Sequence, residues 1–305
     1  MVCIEDGSVL CSDPRCTRFG GGHSRRTDRL REKGATMNSE MNSQAISASA
    51  VVESALKEWT CRFQNYFLLA VRSVRTMFVG RRYFGDLVQQ MDQIGVGSVL
   101  IVVVALFCVG GVVVLNAASQ FARFGETVLT GDAVSLALTR ELGPVFVALL
   151  VAGRNATAMA SELGSMVVSD QVDAMRGFGI DPVRKLMTPR VMATVLILPL
   201  LVAVGVVCGL LGGFIVASIV LHLGAETFMT HAINALRIGD LCIGFTKPVV
   251  FGFIIATVGC FEGFRVEGGT AGVGRATINA FVVSSVIVLV VDLFITKLLL
   301  WVFNL

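Results

Sequence analysis

Charge is scarce in this sequence: Asp, Glu, Lys and Arg make up only 15% of its 305 residues. A soluble domain carries about a quarter, and a disordered chain needs low hydrophobicity with high net charge. Both classes are excluded. The formal net charge of +3 is too small for the phosphate neutralisation that nucleic-acid binding requires. Two Trp and two Tyr leave only a thin aromatic belt for a membrane interface. No HExxH, GxSxG or paired His/Cys ligand set occurs, so the common catalytic and metal constellations are missing. What is abundant is apolar, at 54% of residues and a mean hydropathy of +0.77. With 32 glycines suited to close helix contact, this is the composition of an all-α polytopic membrane protein.

Residues 1–45 are polar, Gly/Ser/Arg-rich and without the apolar core of a signal peptide. Disorder is expected there, with Met37 or Met41 as alternative starts. Cys3, Cys11, Cys16 and His23 form no CxxC pattern, so no metal site is expected. From residue 46 to 93 the pattern changes. Phe63, Phe67, Val71, Val74 and Phe78 recur at helical spacing among Arg62, Arg72, Arg75, Arg81 and Arg82. This predicts an N-terminal amphipathic helix lying in the membrane interface. The alternative is a soluble helix packed on a partner.

Five apolar stretches follow, at Ile94–Ala118, Ala133–Ala152, Val191–Leu221, Ile243–Phe261 and Ile278–Phe303. Each is close to or above the ~20 residues a transmembrane helix needs. Arg176, Arg184, Lys185 and Arg190 lie between the second and third, and Arg265 and Arg275 between the fourth and fifth. Arg123 and Arg237, in the other loops, are offset by Glu126, Asp132, Glu226 and Asp240. The positive-inside rule then predicts a cytoplasmic N-terminus and an external C-terminus. Gly205, Gly209 and Gly213 form two overlapping GxxxG units, a signal for tight helix packing against this chain or a second copy.

Ionisable residues inside the apolar stretches need a reason, since each costs at least about 2.5–3.5 kcal/mol on insertion scales. They are Arg140, Glu141, Lys247, Asp292 and Lys297. Arg140 and Glu141 are adjacent and point about 100° apart on a helix, so each is expected to meet a different partner or a polar cavity. Lys247 is read either as snorkelling to the interface or as lining a cavity. Gly269–Ala276 has P-loop glycine spacing but lacks the Lys and Ser/Thr that hold phosphate and magnesium. ATP hydrolysis is therefore expected in a partner. His222 and His231 fall in one external loop.

The segment 155–190 is expected to form two short cytoplasmic helices. The first ends near Gly164, and the second begins at Ser169 and Asp170 and stops at Gly177–Gly179. Such a pair suits docking in a groove of another protein, and Asp173-Ala-Met-xxx-Gly179 resembles the loop through which ABC-transporter permeases contact their ATPases. The wider set of motifs is more specific. Arg140-Glu-Leu-Gly-Pro-Val, Ala-Gly153-Arg154, Ser-Glu162-Leu-Gly-Ser-Met, Asp170-Gln-Val-Asp-Ala-Met, Gly179-Ile-Asp-Pro182, Pro189-Arg190-Val, Gly259-Cys-Phe-Glu-Gly and the run Gly268–Thr277 together resemble the MlaE-type permeases. The resemblance covers about Arg62 to the C-terminus. It departs at Val167-Val168, where that family usually shows Lys or Arg.

The resemblance implies the membrane subunit of an MCE-associated ABC transporter, acting as a homodimer in the bacterial inner membrane. It implies an ABC ATPase dimer that uses ATP and magnesium, a periplasmic hexamer of MCE-domain proteins, a STAS-domain protein, and phospholipid as cargo moved to maintain outer-membrane lipid asymmetry. A sterol or solvent cargo, or a membrane scaffold without transport, are the alternatives. It places Arg140, Glu141, Lys247 and Asp292 in or around a polar cavity on the lipid pathway. Glu162, Asp170 and Asp173 are placed in the ATPase-facing loop. The expected organisation is a tail at 1–45, an interfacial helix within 46–93, and a five-span permease domain at 94–305 with its coupling loop at 155–190.

Overall fold

The computed structural model describes residues 60, 64–76, 84–125, 129–220 and 224–303. The chain separates into two units, Met1–Arg62 and Phe63–Leu305, and apart from Thr60 everything described lies in the second. The expected tail at 1–45, with its cysteines, His23, Met37 and Met41, is outside the described residues. So are Arg62, Phe63, Phe78, Arg81, Arg82, Glu126 and His222.

All regular structure among the described residues is helical. We name α1 at 64–76, α2 at Phe84–Ala122, α3 at Thr130–Val168, α4 at Gln171–Gly177, α5 at Val183–Ile219, α6 at Ala225–Asn234, α7 at Ile238–Phe264 and α8 at Gly269–Phe303. Five of them, α2, α3, α5, α7 and α8, are long and apolar enough to cross a membrane. They match the five apolar stretches but overrun them, because the helices continue into amphipathic flanks.

The largest overrun is a correction. The second apolar stretch and the first helix expected in segment 155–190 are one helix, α3, of 39 residues. At 1.5 Å per residue it is ~58 Å long, about twice the hydrocarbon core, so part of it stands outside the membrane. Gly164 does not end it. A Cβ there would come within 2.7 Å of Val266, so this glycine serves packing, not capping. The helix stops at Val168, where Asp170 turns to φ 57 and α4 begins.

Three π-helical turns interrupt the ladder, at Leu138–Leu142, Ala152–Ala156 and Val183–Met187. Proline accounts for two of them. Pro144 and Pro189 carry no N–H, and each ring crowds the carbonyl four residues back, at Arg140 and Lys185. At Ala152–Ala156 the Thr157 hydroxyl bonds back to the Gly153 and Arg154 carbonyls, at 2.7 and 2.8 Å, inside the interrupted ladder.

α2 and α5 form the closest pair. A Cβ on Gly110 would overlap the Gly209 carbonyl, and one on Gly212 the Phe107 carbonyl. Gly205 faces Val102 and Leu106, and Gly213 faces Val114. The partner of the GxxxG stripe is thus α2 of the same chain. α7 runs through the middle and is mostly buried, whereas α8 lies at the edge and is mostly exposed. The central core joins Val102 and Leu106 of α2, Val147 and Val151 of α3, Leu198 and Leu201 of α5, Phe251 and Ile255 of α7, and Val288 of α8. Between apolar helices in lipid, such contacts stabilise through close packing instead of exclusion of water.

α1 lies against this bundle by one face only. Tyr66 shares a 2.8 Å hydrogen bond with Thr257, its ring stands edge-on to Phe261, and Ala70 and Ser73 are buried. Burial pushes the Tyr66 phenol pKa up, with the Thr257 hydrogen bond pulling against it. Phe67, Leu68, Val71 and Val74 remain exposed, an apolar face of the kind an interfacial helix turns to lipid. Arg72 binds Asp181 at 2.9 Å, which places α1 and α4 at one end of the bundle, opposite α6.

Candidate functional site

The charges inside the bundle gather on three helices. Lys247 of α7 is fully enclosed. Its Nζ lies 2.6 Å from Glu141 Oε2 of α3, 2.9 Å from Asp292 Oδ1 of α8, and 2.7 Å from Thr296 Oγ1. Thr296 in turn donates to the Asp292 carbonyl at 2.8 Å. The reading of Lys247 as a snorkelling interfacial residue therefore fails, because its side chain has no exposed surface and its ammonium has three oxygen partners within the bundle.

Arg140 does not join this cluster. Its Nη2 meets Asp240 Oδ1 at 2.5 Å. Asp240 has no exposed surface, and its other oxygen accepts the Arg237 backbone N–H at 2.9 Å, closing the first turn of α7. The π-turn at Leu138–Leu142 holds both Arg140 and Glu141, and they reach positions seven residues apart on α7. Seven residues are nearly two helical turns, so Asp240 and Lys247 share one face. Gly244 sits between them, where a Cβ would come within 2.8 Å of the Thr139 carbonyl, so α3 and α7 meet backbone to backbone. Pro248 follows directly inside α7 and leaves the Gly244 carbonyl without its helical N–H partner.

The four residues assigned to the polar cavity thus divide into two adjacent sets. Glu141, Lys247 and Asp292 form one, and Arg140 pairs with Asp240 in the other. Sequence reasoning missed Asp240, counting it as a loop charge, and missed Thr296. The seven-residue spacing from Lys247 and the four-residue spacing from Asp292 were the available signals. The sum is two cations against three carboxylates, and the most exposed carboxylate is Glu141, at 40%. Beside Thr139 and Gly244 lies an apolar cavity of about 210 Å³ lined by Val202, Val206, Leu210, Leu241 and Phe245. Charge and apolar volume are therefore neighbours on the α6 half of the bundle.

At the opposite end, the residues assigned to the ATPase-facing loop separate. Glu162, with its side chain 38% exposed, accepts from Arg190 at 2.8 Å and from Gln93 at 3.1 Å. It ties α3 to α5 and α2. Arg190, only 5% exposed, had been read from sequence as a loop charge. Asp170 and Asp173 lie exposed on or beside α4. Asp170 occupies the N-cap position but makes no side-chain cap, and Asp173 pairs with Arg176 at 2.8 Å. Within α4 only Val172 is buried, and Phe178 just beyond it is 83% exposed. The P-loop-like run at Gly269–Ala276 is the first turns of α8, entered through Gly268 and Gly269 at φ 85 and 67. It forms no phosphate-binding loop.

Most of the chain is similar to known proteins. Residues 87–298 match the family described as Permease MlaE. The chain is similar to a probable ABC transporter permease protein of Rickettsia typhi, 38% identical over 71% of this chain and 84% of that one. It is similar to another from Synechocystis, 33% identical over 80% and 93% of the two. It is also similar to the chloroplastic protein Trigalactosyldiacylglycerol 1 of Arabidopsis thaliana, 33% identical over 74% and 64%.

Proposed function

Because this chain belongs to the MlaE permease family, as the membrane-spanning permease of an ABC transporter, we propose that its cargo is phospholipid. It works as a homodimer in the bacterial inner membrane, with its N-terminus in the cytoplasm and its C-terminus in the periplasm. An ABC ATPase dimer binds ATP and magnesium and docks at the α4 end. A hexamer of MCE-domain proteins receives or delivers lipid at the α6 end, and a STAS-domain protein attends the ATPase. The machine maintains outer-membrane lipid asymmetry.

The observation that carries this reading is the ion cluster of Glu141, Lys247 and Asp292 beside Arg140–Asp240 and an apolar cavity. Charges in lipid persist where they pair or meet water, and a phospholipid needs both polar and apolar contact. The name of the Arabidopsis relative contains a diacylglycerol glycolipid, which supports a two-chain lipid. Exposed α4 with Asp170, Asp173 and Phe178 suits a groove in the ATPase, whereas Glu162 contributes by holding α3, from which α4 hangs.

Purification from native membranes in mild detergent, followed by mass spectrometry of co-purifying subunits and lipids, tests partners and cargo together. Phospholipid with ATPase and MCE subunits is the expected result. A sterol or solvent in place of phospholipid sinks the cargo assignment, and a chain that co-purifies with no ATPase sinks the transport reading in favour of a scaffold.

A further inference from the structure

A second polar site lies at the α4 half of the bundle, between α2 and α3, away from the Lys247 cluster. Its lining includes Gln90 and Gln93 of α2 and Arg154, Asn155 and Glu162 of α3, around a cavity of about 80 Å³. The π-turn at Ala152–Ala156 presents Arg154 and Asn155 to this space. Asn155 is 95% buried, taken from its 5% exposure, and its Nδ2 has no hydrogen-bond partner. Glu162 is already neutralised by Arg190. Asp86, nearly two turns before Gln93 on the same face of α2, is neutralised by Lys185. Arg154 is therefore a lining cation with no carboxylate partner among the described residues. It is exposed, and it donates one hydrogen bond to the Gly97 carbonyl. A guanidinium has five donors, so most of its capacity is open.

What continues from the site is apolar. Helical spacing puts Gln90, Gln93 and Gly97 on one face of α2, followed by Leu100, Ile101, Val104, Val112 and Leu115. Those five are 74%, 49%, 55%, 56% and 42% exposed. A buried unpaired amide donor, a guanidinium without a carboxylate partner and an apolar stripe together match an anionic phosphodiester with acyl chains attached. We propose that Arg154, Asn155, Gln90 and Gln93 hold the phosphate of a phospholipid in the leaflet at the α4 end, with its chains along Leu100–Val104. The site is distinct from the cavity beside Lys247. It rests on the transport reading only in treating the chain as membrane-embedded and lipid-handling.

The test uses the full chain with its co-purifying subunits in vesicles of phosphatidylethanolamine and phosphatidylglycerol. A trace of phosphatidylglycerol carries a photoactivatable diazirine in one acyl chain, and adducts are mapped by peptide mass spectrometry. Adducts are expected at 100–104. Arg154→Gln should reduce them about tenfold, the scale of a charge-assisted hydrogen bond, while Arg154→Lys keeps most of them. Gly97→Ala is the second variant. The three atoms nearest its new Cβ all belong to the flexible guanidinium of Arg154, so the cation is displaced before any helix backbone, and adducts should fall. A diacylglycerol probe with the same diazirine should label only at background. Equal labelling by that probe, or adducts indifferent to both variants, overturns the proposal. Competition by millimolar inorganic phosphate overturns the lipid as its source. Lipid transfer is measured in the same vesicles. Transfer with Arg154-independent adducts removes this site and leaves the transport reading, whereas Arg154-dependent adducts without transfer do the reverse.

Discussion

Replacing Lys247 by methionine leaves two carboxylates facing an apolar side chain in the middle of the bundle. The Lys247–Asp292 contact is 2.9 Å long, with Lys247 enclosed and Asp292 18% exposed. At an effective dielectric of 20, two unit charges at that distance attract by about 6 kcal/mol. Most of this is offset by the desolvation of both groups. The measurable loss on removing one partner of a buried pair is about 3–5 kcal/mol. Glu141 is more exposed, so solvent screens its share and it adds little. On the scale of domains of 150–250 residues, that loss lowers a melting temperature by roughly 6–20 °C. The assay is size-exclusion recovery after heating the purified protein in mild detergent. The triple variant Lys247→Met, Glu141→Gln, Asp292→Asn should recover most of the loss, since it removes the stranded charges as well. If Lys247→Met melts with the parent, the cluster does not hold α3, α7 and α8 together, and its structural reading fails.

Arg140→Ala is expected to destabilise by about 3–5 kcal/mol, because it strands the enclosed Asp240 carboxylate. The same melt should show recovery in Arg140→Met with Asp240→Asn. Gly212→Val places a side chain against the Phe107 carbonyl and should cost at least about 1–3 kcal/mol. Gly274→Ala, with open space around it, should leave the melt unchanged. Asp173→Lys with Phe178→Ala should lower ATPase co-purification while the permease itself melts normally. Glu162→Lys should lower the melt first, since it sets two cations, Lys and Arg190, against each other. In a background without other reactive thiols, Asn234→Cys should react with impermeant reagent from the periplasmic side and Ser169→Cys from the cytoplasmic side. Labelling of both from one side means a miscounted span.

The five crossings were legible because lipid imposes a length and a polarity on any spanning helix, and both are local properties of the chain. The short helix α4 was legible for a similar reason. Asp170 and the glycines at 177 and 179 bracket a seven-residue helix whose ends depend on neighbours in sequence. The joining of the second span to the segment after it was not legible. Gly164 looks like a stop until Val266, a hundred residues away, occupies the space its missing side chain leaves.

The charged residues show where the boundary lies. Their presence inside apolar stretches marked Arg140, Glu141, Lys247, Asp292 and Lys297 as residues in need of partners, because the cost of burying a charge belongs to each residue alone. Which charge answers which was decided only by tertiary structure. Arg140 and Glu141 are neighbours in the chain, yet the π-turn and the close approach of α3 to Gly244 send one to Asp240 and the other to Lys247. Composition and spacing thus determined the class, the number of spans and the residues at stake. Pairing depends on distances between helices far apart in sequence, so Asp240, Thr296 and Arg190 acquired their roles only when the bundle closed around them.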